Sequence, residues 1–531
     1  MSERFNDIAR LVEHKAKALP GFNALTFVNV EADGRLTDER RTHAELWQNG
    51  RALAAWLQRE GVEPGDAFIL MLRNRPEFVE AMVAAALTGA TFVPLDIRSM
   101  GEKLAYMVNH VAAKAIVAEE GALAALDAVA DELAHRPPIL IVDTAVRPAN
   151  FRSASYEGEL GNADALSPVI PDPSSPMYLM FTSGTTGNPK AVVRTHANYM
   201  RGMKGLRALG VGEGDTLYTG LPLCHTNAHS TLAAGLALDL PIVFSRQFTK
   251  SRLWDICRAY GCTMFTLLGG MIPEVFAVPP RPNDRDNPVR LVIASGMPGK
   301  LWEAYEQRFG VTITEVYGST ENGGTLINKM GEGPRGSMGK PPPGMVAAVL
   351  DEDDRPCPPM VPGHLCFRKE AGANENVTYF RNEKASAEKM AGGWFRSGDI
   401  AYADAEGWFY FMHRAGGGIR RNGDFINATL VETVLAQSPH VEDVYVYGVE
   451  TSANVAGERT LVAALIVEGE GALDAVKNWA RERLQRNEIP EIWQVLPAIP
   501  KTVSEKPVER ECIALLRDAG LVEKASQGVP A

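Results

Sequence analysis

Helical and strand-like patterns of apolar residues alternate along most of the chain, and this alternation restricts the fold more than any other feature. Apolar residues recur at helical spacing over residues 45–60, and AFILML, from Ala67, reads as a buried strand. A helix over 78–87 and a strand over 90–95 follow. Such alternation predicts an α/β fold with largely parallel sheets. Further strands are predicted over residues 138–142, 178–182, 242–244, 264–268, 291–294 and 313–317.

The pattern changes after Gly339, where proline and glycine become frequent and the predicted strands are short, as in a small antiparallel barrel or sheet. A run of three glycines, residues 416–418, has almost no intrinsic stiffness and marks a domain boundary. Strands over 441–449 and 460–467 and a helix over 473–486 suffice for a compact α+β domain. We therefore predict an N-terminal domain of layered α/β subdomains plus a small β-barrel (1–413), a glycine-rich hinge (414–418) and a small mobile α+β C-terminal domain (419–531).

Composition excludes several classes of protein. The 531 residues are 45% hydrophobic and 22% charged, which is ordinary for globular domains. The net charge is −11 and no basic run stands out, so nucleic acid is disfavoured as a partner. Six scattered cysteines predict thiols in a reducing compartment. Without an apolar N-terminal segment or a stretch of transmembrane length, we expect a cytoplasmic protein with no membrane span.

The strongest chemical signal is YLMFTSGTTGNPKAVVRTHAN, from Tyr178 to Asn198. Glycines let backbone N–H groups approach a phosphate, hydroxyls donate hydrogen bonds, and a lysine adds positive charge. The segment is not a Walker loop, because Pro189 precedes the lysine and Ala191 follows it. A plain loop between strands is the alternative reading of such a segment in isolation. The predicted phosphate-binding residues are Thr182, Ser183, Gly184, Thr185, Thr186, Gly187 and Lys190.

This segment resembles the phosphate loop of the adenylate-forming superfamily, which includes acyl-CoA synthetases, peptide-synthetase adenylation domains and beetle luciferases. Four further stretches match that superfamily's motifs in order: YGSTE from Tyr317, FRSGD from Phe395, HRAGGGIRRNG from His413 and PKTVSEKPVER from Pro500. Several ordered motifs are far more specific than one. Within the superfamily, the chain looks most like carnitine and crotonobetaine CoA ligases and related bacterial acyl-CoA synthetases.

The resemblance implies a nucleotide site. Tyr317 would stack on adenine beside Gly318. Asp399 would hold the ribose, and Arg414 would contact the ribose or a phosphate. The loop flanking the base would be formed by Ser295, Gly296, Met297 and Pro298.

The resemblance also implies the catalytic groups. Thr320 would bind the α-phosphate, and Glu321 would hold Mg²⁺, a hard cation that prefers oxygen ligands. Lys506 would reach the α-phosphate and the acyl carboxylate. Because both reactants are anions, a positioned cation stabilises the transition state most.

LPLCHTNAH, from Leu221, resembles the family's segment near the acyl pocket, where His225 would gate or line the site. His225 and His229 with Cys224 admit a metal site as an alternative. HxxxH without the glutamate of HExxH is a weak signal, so we predict no metal there. The other acyl-site residues implied are Asn227, Ala228, Gly269, Gly270 and Met271.

The loop after the predicted hinge would bind coenzyme A. Guanidinium groups pair well with phosphate, so Arg420 and Arg421, followed by Gly423, are candidates for its nucleotide phosphates. A solvated basic turn is the alternative.

Two positions depart from the family pattern. Gly416 stands where an Asp or Lys is usual at the hinge, and Glu505 replaces the glycine before the catalytic lysine. Glycine still permits the backbone rotation that the resemblance implies, whereas a carboxylate beside Lys506 could weaken its field.

The sequence thus predicts an AMP-forming acyl-CoA ligase with a carboxylic acid, ATP, Mg²⁺ and coenzyme A as its partners. Homodimers are common among such enzymes, but the sequence does not fix the oligomeric state. Two alternatives remain open. The acceptor could be a carrier protein, although we expect none fused to this chain, or the chain could be a non-catalytic homologue that binds nucleotide or acyl ligand.

Overall fold

The structure, a computed structural model, forms two compact units. Unit 1 comprises residues 1–345 and 368–395, and unit 2 comprises residues 346–367 and 396–531. The residues described are 5–163, 165–182, 188–203, 205–269, 271–330, 332–371, 377–415, 419–421, 424–426, 428–451, 459–469, 471–484, 486–502 and 506–522.

Local sequence signals account for the start of the second helix and both ends of the third. Thr42 and Glu45 form a reciprocal capping box at the start of the second helix, and Pro76 begins the third, which ends at Gly89 in the left-handed conformation. The helices are α1 (Ile8–Ala18), α2 (His43–Arg59), α3 (Pro76–Thr88), α4 (Gly101–Val111), α5 (Glu120–Ala128), α6 (Tyr156–Glu159), α7 (His196–Gly202), α8 (Gly205–Ala208), α9 (Thr226–Leu238), α10 (Leu253–Tyr260), α11 (Met271–Ala277), α12 (Gly299–Phe309), α13 (Glu383–Lys389), α14 (Ala428–Leu435), α15 (Ala472–Arg483) and α16 (Glu509–Asp518).

Most strands of the large sheets are short and buried, as the apolar runs of the sequence predict. The strands are β1 (Asn23–Val30), β2 (Leu36–Thr42), β3 (Ala67–Met71), β4 (Thr91–Pro94), β5 (Ala115–Glu119), β6 (Ile139–Val142), β7 (Ser153–Ser155), β8 (Pro176–Thr182), β9 (Lys190–Thr195), β10 (Leu217–Thr219), β11 (Ile242–Ser245), β12 (Met264–Leu268), β13 (Leu291–Ser295), β14 (Thr312–Gly318), β15 (Thr325–Asn328), β16 (Met345–Leu350), β17 (Gly363–Lys369), β18 (Phe395–Ala403), β19 (Phe409–Arg414), β20 (Ile419–Arg421), β21 (Asp424–Ile426), β22 (Val441–Val449), β23 (Thr460–Val467) and β24 (Ile492–Val495).

Unit 1 contains two large sheets that are mostly parallel. One has the strand order β15-β14-β13-β12-β10-β11-β1-β2 and the other β7-β6-β5-β3-β4-β8-β9. Antiparallel pairing occurs at β14–β15, β1–β2 and β8–β9. All 13 residues of α3 are buried, and its hydrophobic side chains between Phe78 and Leu87 belong to a core cluster that also contains residues of both sheets. This confirms the predicted α/β layers. Because β12, β13 and β14 are adjacent and parallel, the loops that follow them lie at the same end of the sheet.

Unit 2 contains a four-stranded sheet in the order β16-β17-β18-β19. It corresponds to the small barrel or sheet predicted after Gly339. The C-terminal part of unit 2 is an α+β fold in which β22 pairs antiparallel and β24 parallel with β23. The bounds of β22 and β23 are those predicted. The hinge glycines 416–418 lie outside the described residues, so the predicted boundary there stays a prediction.

None of the six cysteines, all of which lie in the described ranges, forms a disulfide. Among the described helices, none is both long enough and apolar enough to cross a bilayer.

Candidate active site

The predicted phosphate loop connects β8 to the edge strand β9, which pairs antiparallel with it in unit 1. Thr182 and Lys190 face each other across this pair, and the Thr182 hydroxyl donates to the Lys190 carbonyl at 3.3 Å. Both residues are half-buried. The intervening predicted residues Ser183, Gly184, Thr185, Thr186 and Gly187 lie outside the described part of the chain.

A series of side-chain contacts links the flank of this loop to Glu321. The Lys190 ammonium lies 5.5 Å from the centre of the Tyr379 ring, and the Tyr379 hydroxyl donates to Glu321 Oε1 at 2.7 Å. Lys389 Nζ lies 3.9 Å from the same oxygen. Tyr379 is held beside β9, since the backbone of the segment around it pairs with that strand. The structure thus brings together two predicted site residues that are 131 positions apart in sequence.

The surroundings of Glu321 keep its carboxylate charged. Burial opposes ionisation, but the charge of Lys389 and the hydrogen bond from Tyr379 outweigh it and hold the pKa of Glu321 below its ordinary value. An ionised, partly buried carboxylate is a suitable ligand for a hard divalent cation. Glu321 therefore fits the role of Mg²⁺ ligand, and the two lysines supply local positive charge against the net charge of −11.

The loops that follow β12 and β13 approach each other closely. Gly296 has φ +92°, and a Cβ atom there would lie 3.2 Å from the Cα of Gly269. The Ser295 hydroxyl donates to the Val316 carbonyl of β14 at 2.6 Å. A predicted nucleotide loop and a predicted acyl-site glycine are therefore neighbours, and only glycine fits comfortably at Gly296.

Glu315 of β14 anchors the same loop through hydrogen bonds to its backbone. Its carboxyl group accepts from the backbone N–H groups of Gly296 and, at 3.0 Å, Met297. Burial raises the pKa of Glu315 to about 7 despite these bonds. Pro298 is the N-cap of α12, so the predicted loop residues run directly into a helix.

The YGSTE motif spans the end of β14 and the turn after it. Tyr317 is half-buried, and its carbonyl accepts from the Thr325 hydroxyl of β15 at 2.7 Å. Gly318 is exposed and Thr320 half-buried. The position of these residues at the carboxyl end of a parallel strand is where α/β proteins bind ligands.

The predicted acyl segment forms the entry to α9, with His225 as its N-cap residue. Buried Asn74 fixes the preceding loop, because its amide donates to the Leu221 carbonyl at 2.9 Å and accepts from the Leu223 N–H at 2.8 Å. His229 belongs to the core instead: its Nε2 lies 2.7 Å from the Leu223 carbonyl, and burial lowers its pKa to about 4.

The remaining predicted acyl residues occupy two elements of unit 1. Asn227 and Ala228 lie in the first turn of α9, where Ala228 is fully buried. Gly269 follows β12, and Met271 begins α11. Gly270 lies outside the described ranges.

Unit 2 carries the other predicted nucleotide residues. Asp399 of β18 is opposite Arg414 of β19 in the antiparallel register. Asp399 is buried, and its N–H donates at 3.0 Å to the hydroxyl of Ser397, which itself donates to the Leu365 carbonyl. Strand pairing and the Ser397 hydroxyl thus hold the backbone of Asp399, which is predicted to contact the ribose. The side chain of Arg414 lies outside what the structure describes.

Lys506 is exposed, and its backbone is hydrogen-bonded to Thr502. Its carbonyl accepts from the Thr502 N–H at 2.6 Å, and its own N–H donates to the Thr502 hydroxyl at 3.2 Å. Glu505 and Gly423 lie outside the described residues. Arg420 and Arg421 form part of β20, and their side chains are also outside the description.

Three residues of this site were missed by sequence reasoning: Tyr379, Lys389 and Glu315. Each acts through a contact with a residue far along the chain or across a strand pair. No local pattern signals such contacts; only the spacing of Glu315, two residues before Tyr317, placed it near a motif.

Comparison with known proteins assigns the chain to a family. Residues 12–374 match the family described as AMP-binding enzyme, and residues 430–506 match the AMP-binding enzyme C-terminal domain. The medium/long-chain-fatty-acid–CoA ligase FadD17 of Mycobacterium marinum is 31% identical over 89% of this chain and 91% of its own length. The crotonobetaine/carnitine–CoA ligase of Escherichia coli strain SE11 is 25% identical over 96% of this chain and 98% of its own.

Solved structures share the fold. The anthranilate CoA ligase AuaEII, in complex with anthranoyl-AMP, superposes with a TM-score of 0.82 at 19% identity, covering 97% of this chain and 98% of its own. The o-succinylbenzoate CoA synthetase MenE of Bacillus subtilis, in complex with OSB-AMP, gives a TM-score of 0.76 at 22% identity, covering 94% and 97%.

Proposed function

The chain belongs to the AMP-binding enzyme family, and from this premise we propose that it joins a carboxylic acid to coenzyme A in two steps. It is an ATP-dependent acyl-CoA ligase of the AMP-forming type. In the first step the substrate carboxylate attacks the α-phosphate of ATP, giving acyl-AMP and pyrophosphate. In the second, the thiol of coenzyme A attacks the acyl carbon and AMP leaves.

The observation that carries this assignment is the contact series from Lys190 through Tyr379 to Glu321. It joins the flank of a phosphate loop to an ionised carboxylate, with Lys389 beside it. A reaction between two anions needs positive charge at the point where they meet. Lysine ammonium groups and a carboxylate able to hold a divalent cation provide that arrangement.

We assign each group of this chain a part in the first step. Lys190 and the loop it flanks hold the phosphates, Thr320 contacts the α-phosphate, and Glu321 holds Mg²⁺, which when bound neutralises phosphate charge. Lys506 supplies the cation that draws the carboxylate and the α-phosphate together. Ser295 to Pro298 and Tyr317 enclose the adenine, and Asp399 with Arg414 positions the ribose.

For the second step we propose that the C-terminal domain turns about the glycines 416–418 and that Arg420 and Arg421 bind the nucleotide phosphates of coenzyme A. Bidentate guanidinium–phosphate pairing suits this role. His225 gates or lines the acyl pocket together with Asn227, Ala228, Gly269, Gly270 and Met271.

With six cysteines and no disulfide, the protein is suited to a reducing cytoplasm.

The experiment is a panel of carboxylic acids given to the purified chain with ATP and Mg²⁺. The panel contains medium- and long-chain fatty acids, betaine-type acids and aromatic acids, because the relatives and structural neighbours are named as CoA ligases of such acids. Pyrophosphate release without coenzyme A reports the first step. AMP release and a thioester detected by mass spectrometry report the second.

The outcomes separate the alternatives. If pyrophosphate is released but only a carrier-protein thiol accepts the acyl group, the carrier protein takes the place of coenzyme A in the proposal. Binding of ATP without pyrophosphate release from any acid of the panel would favour a non-catalytic homologue.

A further inference from the structure

Three metal-ligating side chains meet at the entry to α9, and the sequence suggested only two of them, Cys224 and His225, as ligands. Asp96, Cys224 and His225 each offer one ligand atom, and the three atoms lie within 4.8 Å of one another. Cys224 Sγ is 3.9 Å from Asp96 Oδ2. Asp96 lies just after β4 and the other two residues just before α9, so the fold brings the cluster together.

We propose that Asp96, Cys224 and His225 form a zinc site that, when loaded, inhibits the enzyme. Thiolate, imidazole and carboxylate are the usual protein ligands of Zn²⁺. Tetrahedral coordination at ordinary Zn²⁺ bond lengths places ligand atoms roughly 3.4–3.7 Å apart. The sulfur–oxygen pair, now 3.9 Å apart, must therefore close by a few tenths of an ångström, and no pair has to close by more than roughly 1.4 Å, which side-chain rotation can supply.

The surrounding structure holds these ligands in place. Asp96 Oδ1 accepts from the Arg98 N–H at 2.9 Å and from Arg98 Nε at 3.2 Å, which fixes the carboxylate with its other oxygen near Cys224. Such hydrogen bonds are typical of carboxylates that bind metals. The loop carrying Cys224 is fixed by Asn74, and the His225 N–H donates to the Pro222 carbonyl at 3.0 Å.

The chemistry of the three ligands favours a soft divalent cation over Mg²⁺. Carboxylate and thiolate bring two negative charges to the ion, partly offset by the Arg98 guanidinium, and Zn²⁺ loading releases the Cys224 proton to solvent. Cys224 is buried, and the other two residues are half-buried, so solvent reaches the cluster from the side of Asp96 and His225. Zinc held by three protein ligands takes water as its fourth ligand. Mg²⁺ prefers oxygen ligands and does not compete for a thiolate.

The inhibitory effect rests on the proposed function, because His225 is the residue assigned to the acyl pocket. An imidazole bound to Zn²⁺ is fixed in orientation and cannot move as a gate or contact the acyl group. Binding itself does not depend on that assignment.

The test uses the full chain, stripped of metal, with millimolar Mg²⁺ present. Co²⁺, which substitutes for Zn²⁺, is expected to give a thiolate-to-cobalt charge-transfer band at one equivalent per chain. Cys224→Ser should abolish the band, and Asp96→Asn should weaken binding at least tenfold. Cys357→Ser, which removes a half-buried thiol of unit 2, is the matched control and should retain the band. Thermal unfolding of each variant establishes that it is folded.

No band in the wild type, or a band that survives Cys224→Ser, would overturn the site. For inhibition, Zn²⁺ is titrated against pyrophosphate release in the presence of Mg²⁺, and each protein's rate is normalised to its own rate without Zn²⁺. Wild type should lose most activity at one equivalent and recover it with a chelator, whereas Cys224→Ser should need at least tenfold more Zn²⁺. A loaded site with undiminished turnover would refute the inhibitory effect alone. If no acid of the panel reacts, the cobalt spectrum still decides the binding.

Discussion

Lys389 controls the charge of Glu321 although it belongs to no recognised motif. Its ammonium lies 3.9 Å from Glu321 Oε1 and opposes the effect of burial on that carboxyl group. Without this charge the pKa of Glu321 rises, so more of the enzyme has a neutral carboxyl group at mildly acidic pH, and a neutral carboxyl group is a poor Mg²⁺ ligand.

Lys389→Met is therefore expected to move the acidic limb of the pH profile of pyrophosphate release to higher pH. Activity should fall several-fold at pH 6 and change little at pH 8, where Glu321 is ionised in both proteins. Lys384→Met is the control, because Lys384 lies on the same helix and its side chain is 90% exposed. An equal loss at every pH would mean that Lys389 does not act through Glu321.

At the scale of elements, the site depends on the close approach of the loops after β12 and β13. Gly296→Ala would place a Cβ atom 3.2 Å from Gly269 in a backbone conformation with φ +92°. The expected cost is about 1–3 kcal/mol of folding stability, with a larger proportional loss of acyl-adenylate formation because the nucleotide loop moves. Thermal unfolding and pyrophosphate release measure the two effects.

Gly202→Ala provides the matched control. Gly202 ends α7, and a Cβ atom there meets nothing within 4 Å, so the change should leave both quantities unchanged or raise stability slightly. If Gly296→Ala behaved like Gly202→Ala, the contact between the loops would be unimportant.

The elements that could be predicted are those with a strong internal pattern. The bounds of β12, β22 and β23 agree with the sequence, because each is a short, mostly apolar run. β2 (LTDERRT) was missed, since an edge strand whose residues are mostly charged has no apolar alternation to detect. The motifs predicted which loops carry the site, whereas the contacts of Tyr379, Lys389 and Asp96 arise only when distant segments fold together.

For the whole molecule, buried carboxyl groups make stability depend on pH. The pKa of Glu315 is raised to about 7, so between about pH 4.5 and pH 7 the folded state binds more protons than the unfolded state. Stability from this group therefore falls as pH rises through that window, by about 3 kcal/mol in total. The same direction holds for Glu432, whose pKa burial also raises to about 7.

Glu315→Gln removes an ionisable group while retaining one hydrogen-bond acceptor. The unfolding temperature of the variant minus that of the wild type should increase between pH 5 and pH 8, because only the wild type acquires a buried charge. Differential scanning fluorimetry across this range measures it. A difference that stays constant with pH would show that Glu315 is not the group that titrates.

The proposed assignment of residues to the two half-reactions also concerns the whole molecule, since the recognised motifs are distributed over both units. Lys506 lies in unit 2 and is exposed, and it is assigned to the adenylation step alone. Removing a positioned cation from a reaction between two anions costs roughly 100-fold or more in rate. Attack of a thiol on an acyl-adenylate already formed makes no such demand, so the two half-reactions should respond differently.

Lys506→Ala should therefore abolish most pyrophosphate release, yet consume supplied acyl-AMP with coenzyme A at close to the wild-type rate. The two steps are measured separately, with an acid that the panel identifies and its synthetic adenylate. Lys501→Ala is the control, because Lys501 Nζ is paired with Asp443 at 2.7 Å and has no assigned part in the chemistry, so both steps should persist. Equal loss of both half-reactions in Lys506→Ala, with unfolding unchanged, would assign the lysine to a step common to the two, such as holding AMP.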